Sequence, residues 1–98
     1  MAFEIVWTEK SAEDLQAIVR YIRRHNPLAA SSVARGIYER VQILSGQPES
    51  GSILEELEDP IWRKLIFQSW KIVYKLEQNR SRVVIIRIWH AARGEVEL

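Results

Sequence analysis

The spacing of apolar residues changes along the chain and predicts blocks of different secondary structure. Phe3-Glu4-Ile5-Val6-Trp7 mixes aromatic and β-branched residues, which favours a short first strand. Ser11 followed by Asp14 resembles a capping box, so we expect a helix to begin near Thr8 or Ser11. Apolar residues then recur at helical spacing and predict an amphipathic stripe formed by Ala12, Leu15, Ile18, Val19 and Ile22.

Asn26-Pro27 separates this helix from a second one. The residue before a proline avoids helical angles, whereas proline itself suits the first helical position, so Asn26 is expected to be an N-cap. Gly46 follows the second helix where a left-handed C-cap is favoured. The apolar stripe of the second helix contains Ala30, Val33, Ala34, Ile37, Val41 and Leu44. The two helices are therefore predicted to form a hairpin with facing apolar stripes.

The spacing of apolar residues becomes two after Pro60, which predicts strands at 61–67, 70–76 and 83–90. Gln68-Ser69 and the polar run 77–81 are short enough for hairpin turns. Trp70, Ile72, Tyr74 and Leu76 are expected to face the helices, and Lys71 and Lys75 the other way. In the last strand, strict alternation groups Val84, Ile86, Ile88 and His90. If that face packs on the helices, Arg87 points to the open face beside the two lysines.

These elements predict a single α+β domain over residues 1–98. Its order is β-α-α-β-β-β, with a helical hairpin packed on one face of an antiparallel sheet. The chain has no cysteine and only two widely separated histidines, so we expect no disulfide, metal or cofactor. No signal peptide or run of membrane-spanning length is visible, which predicts a cytoplasmic protein that does not enter membranes.

Charge is distributed unevenly along the chain. Residues 60–94 hold eight basic side chains against Glu77 alone, whereas residues 1–59 hold six basic and ten acidic ones. Such a field attracts an acidic protein segment or a polyanion. His90 could exchange protons and Arg93 could hold a phosphate, but a lone histidine near a tryptophan is more often packed and hydrogen-bonded than catalytic. A solvated basic face with ion pairs to Glu77 or the acidic loop is the alternative for the cations. No glycine-rich phosphate loop, catalytic carboxylate pair or nucleophile elbow is present.

Short motifs follow one another through nearly the whole chain: Trp7; the run Ala12 to Ile22; Asn26-Pro27-Leu28-Ala29-Ala30; Leu44-Ser45-Gly46-Gln47-Pro48 with Gly51; Arg63-Lys64-Leu65; Ile72-Val73-Tyr74; and His90-Ala91-Ala92-Arg93. In this order and spacing they resemble the ParE branch of the RelE/ParE toxin superfamily. The resemblance implies the toxin of a type II toxin–antitoxin pair, in which an antitoxin wraps an extended and helical segment around the toxin. ParE-type toxins act on DNA gyrase, whereas RelE-type toxins cut messenger RNA on the ribosome.

Three hypotheses follow from the resemblance. The first, which we favour, is a gyrase inhibitor that acts by binding and is not an enzyme. The second is a ribosome-dependent messenger-RNA endoribonuclease that uses Lys64, Lys71, Arg87, His90 and Arg93. The third is a non-toxic interaction module of the same fold. Lys71 stands where the ribonuclease branch commonly has arginine, and the tail 94–98 contains no tyrosine or histidine, which favours the first hypothesis.

The partner implied by the resemblance is a cognate antitoxin with an acidic, partly disordered segment. Toxin and antitoxin are expected to form a hetero-oligomer. The target is DNA gyrase under the first hypothesis and the ribosome with messenger RNA under the second. The predicted partner-binding residues are Arg63, Lys71, Lys75, Arg87, His90 and Arg93.

Overall fold

A computed structural model describes residues 2–94 and 96–98. The elements are β1 (Glu4–Trp7), α1 (Glu9–Arg23), α2 (Pro27–Ile43), β2 (Ser52–Ile53), β3 (Trp62–Phe67), β4 (Trp70–Glu77) and β5 (Arg82–His90). Short 3-10 turns follow β4 at Gln78–Arg80 and β5 at Ala91–Arg93. The predicted α+β class, the helical hairpin and the three C-terminal strands are confirmed. Within the described residues, neither helix combines the length and apolar content that crossing a membrane requires.

The five strands form one sheet in the order β1-β5-β4-β3-β2. The sheet is mixed and not wholly antiparallel as predicted, because β1 pairs in parallel with β5. The α1–α2 hairpin crosses the sheet after β1, and the chain then returns strand by strand until β5 lies beside β1. The two-residue β2, which was not predicted, extends the opposite edge by pairing with Arg63 and Lys64.

The N-cap of α2 agrees with the prediction, whereas the N-cap of α1 does not. Asn26 caps α2 as predicted, since its side-chain oxygen accepts from the N–H of Ala29 at 3.1 Å. The capping box predicted at Ser11 and Asp14 is wrong. Thr8 caps α1, with its hydroxyl oxygen 3.1 Å from the N–H of Ser11, and the same hydroxyl donates to the Ile85 carbonyl at 2.8 Å. This second bond ties the start of α1 to β5 and frees Asp14 for another role.

The end of α2 also differs from the prediction. Gly46 was expected in a left-handed C-cap, but Gly94 is the only described glycine with a positive φ. The helix instead ends through Leu44, which keeps right-handed angles and donates its N–H to the carbonyls of Gln42 and Val41. Helical turns therefore continue past the end of α2, and no left-handed residue is needed there.

The core lies between the helices and one face of the sheet. Ile18, Ile37 and Val41 from the predicted helical stripes are buried there, while Leu15 is half-buried against the same cluster. The sheet contributes the buried side chains Ile72, Tyr74, Leu76, Val83, Ile85 and Ile88. The face predicted for β4 is confirmed, because Ile72, Tyr74 and Leu76 alternate with residues directed away from the helices.

A β-bulge in β5 changes which of its residues face the helices. Tyr74 pairs with Ile85, but the preceding Val73 pairs with Arg87, so Ile86 is an extra residue. Ile85 before the bulge and Ile88 after it both reach the core, although strict alternation would place them on opposite faces. The face predicted from simple alternation is therefore wrong before the bulge and correct only after it.

Tyr74 fastens the loop between α2 and β2 to the sheet. Its hydroxyl donates to the Pro48 carbonyl at 2.8 Å and accepts from the Gly51 N–H at 3.0 Å. Burial raises the pKa of the Tyr74 phenol above its ordinary value, since the charged phenolate would be poorly solvated. Gly51 has no space for a side chain, because a Cβ there would lie 2.6 Å from the Tyr74 hydroxyl oxygen.

Candidate functional site

Three lysines lie on the sheet face that points away from the helices, which we name the open face. Lys71 and Lys75 alternate with the core residues of β4, and Lys64 pairs with the outward-facing Val73. Lys75 is braced, because its ammonium lies 5.6 Å from the centroid of the Trp62 ring and 3.8 Å from the Glu77 carboxylate. The predicted outward direction of Lys71 and Lys75 is confirmed.

Glu56 and the C-terminal tail border the lysines. The carboxylate of Glu56 accepts from the Val96 N–H at 3.2 Å. That hydrogen bond holds the pKa of Glu56 below its ordinary value, and the charges of Lys71 and Lys64 add to the lowering against the opposing effect of desolvation. A shallow cavity of about 320 Å³ lies here and is lined by Glu55, Glu56, Lys71, Ala91 and Gly94. One side of the open face therefore combines cations with an ionised carboxylate.

Arg87 starts on the open face, since it pairs with the outward-facing Val73 and its guanidinium carbon lies 4.9 Å from the centroid of the Trp89 ring, but its guanidinium is engaged within the protein. Its guanidinium contacts both carboxylate oxygens of Asp14, with Nε at 2.8 Å and NH2 at 3.2 Å. The Ile88 N–H donates to the same carboxylate at 3.0 Å, and the side chains of Arg87 and Asp14 are only 12% and 11% exposed. β1 pairs with β5 only as far as Ile85, so Asp14 covers the strand edge beyond it. The predicted face of Arg87 is therefore confirmed, but its guanidinium is bound to Asp14 and not to Glu77 or the acidic loop.

The role of Asp14 at this site was not predicted from the sequence. Its side chain was assigned to a helix cap, whereas it joins α1 to β5 across 73 positions of sequence. The available signal was its place beside Leu15 and near Ile18, because an acidic residue bordering the apolar stripe must find a partner when the stripe is buried.

His90 lies on the opposite face from Lys71. It pairs with Trp70, the neighbour of Lys71 in β4, and adjacent residues of a strand point to opposite faces. Its ring meets the Trp70 ring edge-on with centroids 4.7 Å apart, and Trp70 packs against the core. Nδ1 of His90 also accepts from the Ala92 N–H at 3.1 Å, which begins the turn after β5. His90 thus makes packing and capping contacts on the helix side of the sheet.

Arg93 stacks on Trp89. Its guanidinium carbon lies 3.8 Å from the centroid of the Trp89 ring, and the residue is exposed. Trp89 pairs with Lys71 and therefore belongs to the open face, where its indole N–H donates to the Gly94 carbonyl at 3.2 Å. Arg93 is an oriented and accessible cation, because stacking restrains a guanidinium and leaves its N–H edges free.

Arg63 points to the core side of β3, since it pairs with the buried Tyr74. It donates to the carbonyls of Glu49 at 3.3 Å and Gly51 at 3.0 Å, which stabilises the loop before β2. The residues predicted for a ribonuclease are therefore dispersed. Lys64, Lys71 and Arg93 belong to the open face, Arg87 is paired at the strand edge and His90 lies across the sheet. Among residues 2–94 and 96–98, no group of three or more metal-ligating side chains is close enough to hold a metal ion.

Comparisons with known proteins agree on one family. The sequence profile described as ParE toxin of type II toxin-antitoxin system, parDE, matches residues 5–94. The chain is 33% identical over 94 residues to Toxin RelE2 of Caulobacter vibrioides, with 92% of this chain and 97% of that protein covered. This identity over nearly the full length of both chains indicates a common family.

Solved structures share the fold. The chromosomal ParDE system from P. aeruginosa superposes with a TM-score of 0.74 at 24% identity, covering 91% of this chain and 96% of that one. A mutant of the E. coli toxin RelE in the free state superposes with a TM-score of 0.70 at 15% identity. The match covers 96% of this chain and 88% of that one. The toxin–antitoxin complex RelBE2 from Mycobacterium tuberculosis has a TM-score of 0.61 at 17% identity. The match covers 92% of this chain and 99% of that one. With the sequence match over residues 5–94, this chain belongs to the ParE toxin family of type II toxin–antitoxin systems, within the RelE/ParE superfamily.

Proposed function

We propose that this toxin inhibits DNA gyrase by binding to it, without catalysis, and that a cognate antitoxin neutralises it. The observation that carries the proposal is the separation of His90 from the open-face lysines by the thickness of the sheet. The match of the ParE profile to residues 5–94 supports the same choice within the superfamily.

The separation matters because of what RNA cleavage requires. A ribonuclease needs a proton-transfer group within hydrogen-bond reach of the reacting oxygen, and cations close to the phosphate on which charge develops. Lys71 and Lys64 can supply cations, but His90 faces the helix side and has Nδ1 engaged with the Ala92 N–H. An inhibitor that acts by binding needs a stable surface and no such assembly.

The open face suits the acidic antitoxin segment. Lys64, Lys71 and Lys75 lie on it, and Arg93 is held towards it by the Trp89 ring. Long-range attraction between opposite charges accelerates association and is weakened by salt. The association rate with the antitoxin should therefore fall as ionic strength rises. A rate that stays constant between low and high salt would remove electrostatic steering from the proposal.

The gyrase proposal is tested with His90→Gln, which preserves hydrogen-bonding capacity and similar bulk. We expect this variant to arrest growth and to inhibit supercoiling by purified gyrase as the parent toxin does. Arg93→Ala should weaken both effects, because it removes the guanidinium that stacks on Trp89 and so loosens the end of β5. In a ribonuclease that uses His90, the same His90→Gln change should reduce cleavage of ribosome-bound messenger RNA by about 10² to 10⁴.

The second candidate function is messenger-RNA cleavage. It is favoured by the shared orientation of Lys64 and Lys71 and by the 33% identity to a relative named Toxin RelE2. Messenger cleavage by the parent, together with undisturbed supercoiling and loss of growth arrest in His90→Gln, would replace the gyrase proposal with this one. The third hypothesis, a non-toxic module, predicts no growth arrest on expression of the parent chain.

A further inference from the structure

The end of the helical hairpin forms a second basic surface, separate from the open face. We name residues 20–28, the last turn of α1 with the connection into α2, the hairpin tip. Arg20, Arg23 and Arg24 line a shallow concavity of about 270 Å³ there. Residues 15–38 contain four arginines and no acidic residue, and within the described part of the chain none of the three tip arginines makes an ion pair. The tip is therefore uniformly cationic and unneutralised.

Large apolar side chains lie beside these arginines in solvent. Leu28 is 83% exposed and Tyr21 is 64% exposed. Tyr21 and His25 stand one helical turn apart, with ring centroids at 5.8 Å, in a row next to Arg20 and Arg24. The surface thus presents a ridge of rings and an exposed leucine alongside guanidinium groups.

The hairpin tip projects beyond the sheet and is accessible. Gly36 of α2 packs against the Phe67 ring at the end of β3. Pro27 precedes Gly36 by nine residues in the same helix, which corresponds to roughly 14 Å along the helix axis. Arg40, one turn after Gly36, donates to the Ile66 carbonyl at 2.9 Å, so the start of α2 points past the β3–β4 turn. The lysines of the open face lie on the other side of the sheet.

A purely structural explanation accounts for only part of these features. Cations near a helix C-terminus interact favourably with the helix dipole, which accounts for Arg20 and Arg23 in the last turn of α1 and for Arg24 at its C-cap. The dipole does not require two exposed apolar residues beside the arginines or the lack of acidic residues between positions 15 and 38. Nucleic acid would engage the arginines and Tyr21 but would leave Leu28 without a role. Arginine and tyrosine are enriched among the residues that dominate the energy of protein–protein interfaces, and Leu28 adds exposed apolar surface that a protein partner would bury.

We propose that the hairpin tip is the surface with which the toxin holds its target protein, through an acidic patch that contains an apolar recess for Leu28. The inference rests on the proposed function, in which the toxin acts by binding a protein target. It assigns target and antitoxin to different regions: the target meets the tip, and the acidic antitoxin segment meets the open face. Toxicity and neutralisation should then be separable by substitution.

The test uses the variants Arg20→Gln/Arg24→Gln and Leu28→Gln, which alter exposed side chains and retain good helix formers. Lys10→Gln/Arg80→Gln is the matched control, because it removes two exposed positive charges at other places in the fold. For each purified toxin we would measure inhibition of gyrase supercoiling, affinity for the antitoxin and growth arrest. Thermal unfolding should confirm that all variants fold like the parent.

We expect both tip variants to inhibit gyrase about 30-fold more weakly than the parent, as for central interface residues, and to lose growth arrest. Their antitoxin affinity should stay within about twofold of the parent value, because peripheral exposed charges have small effects on a separate interface. The control should inhibit as the parent does. The inference would be overturned if the tip variants inhibited gyrase as strongly as the parent does, or if the control lost as much inhibition as they do. So would a loss of antitoxin affinity, which would assign the tip to the antitoxin.

The proposed function can fail separately. If the parent arrests growth but leaves gyrase supercoiling unchanged, gyrase is not the target. The inference is then tested by growth arrest with the two tip variants. Loss of arrest with intact antitoxin binding supports it, and arrest as strong as that of the parent overturns it.

Discussion

Replacement of Asp14 by leucine is the sharpest test of how the end of β5 is held. The Asp14 carboxylate accepts two hydrogen bonds from Arg87 and one from the Ile88 N–H. Asp14→Leu removes all three acceptors at once. It leaves the Arg87 guanidinium without a carboxylate partner, bonded only to the Glu97 carbonyl at 2.8 Å. It also leaves the Ile88 N–H unsatisfied at a strand edge that β1 does not cover.

The expected loss of stability follows from the burial of this pair. Exposed ion pairs contribute roughly 0–1 kcal/mol, whereas removing one partner of a buried pair costs about 3–5 kcal/mol. With both side chains about nine-tenths buried, the Asp14–Arg87 pair lies near the buried limit. We expect a loss of about 3 kcal/mol, a large part of the 5–15 kcal/mol typical of such domains. The corresponding fall in melting temperature is roughly 12 °C or more.

The assay is urea unfolding followed by tryptophan fluorescence, applied to Asp14→Leu, Arg87→Met and the double variant. Replacing both charges by apolar groups should recover much of the loss, because no unpaired charge remains buried. Glu13→Leu is the control, since Glu13 is exposed, and it should change stability by less than about 0.5 kcal/mol. A loss below about 1 kcal/mol in Asp14→Leu, or strictly additive effects in the double variant, would refute the buried-pair reasoning.

Three further predictions concern the core and the loop before β2. Ile37→Ala should lower stability by about 2–5 kcal/mol in the same urea assay, because Ile37 is fully buried; an unchanged midpoint would contradict the assigned core. Gly51→Ala should cost about 1–3 kcal/mol because its Cβ would lie 2.6 Å from the Tyr74 hydroxyl, while Gly46→Ala, with nothing within 4 Å, should not destabilise. Burial raises the folded-state pKa of Tyr74, so its contribution is complete below the unfolded pKa of about 10 and is lost as pH rises through the folded value. Unfolding between pH 8 and 11 should therefore show a steeper decline for the parent than for Tyr74→Phe, and equal slopes would contradict the assignment.

Local patterns were sufficient for most of the secondary structure. The Asn26-Pro27 signal placed the boundary between the helices, since capping and proline geometry act within a few residues. The alternation in β4 correctly separated core residues from lysines because β4 has close to regular strand geometry. At Ser11 the local signal failed, because Thr8 could cap the helix and also bond to β5.

The candidate site was less predictable than the fold. The basic character of residues 60–94 was visible in the sequence, but its division between two sheet faces and a strand edge was not. The charge count over residues 1–59 also hid the hairpin tip, because acidic residues elsewhere in that window outweighed its arginines. A sum over a long window cannot show whether opposite charges are neighbours in space.

The sequence by itself determined the α+β class, the helical hairpin, the positions of β1, β3, β4 and β5, and the outward direction of the β4 lysines, because each depends on periodicity or capping over short distances. Only the tertiary structure decided the parallel pairing of β1 with β5 and the bulge at Ile86. It also decided that Arg87 pairs with Asp14 and that His90 lies across the sheet from Lys71. These features depend on cross-strand register and on partners distant in sequence, and one extra residue in a strand exchanges the faces of every residue after it.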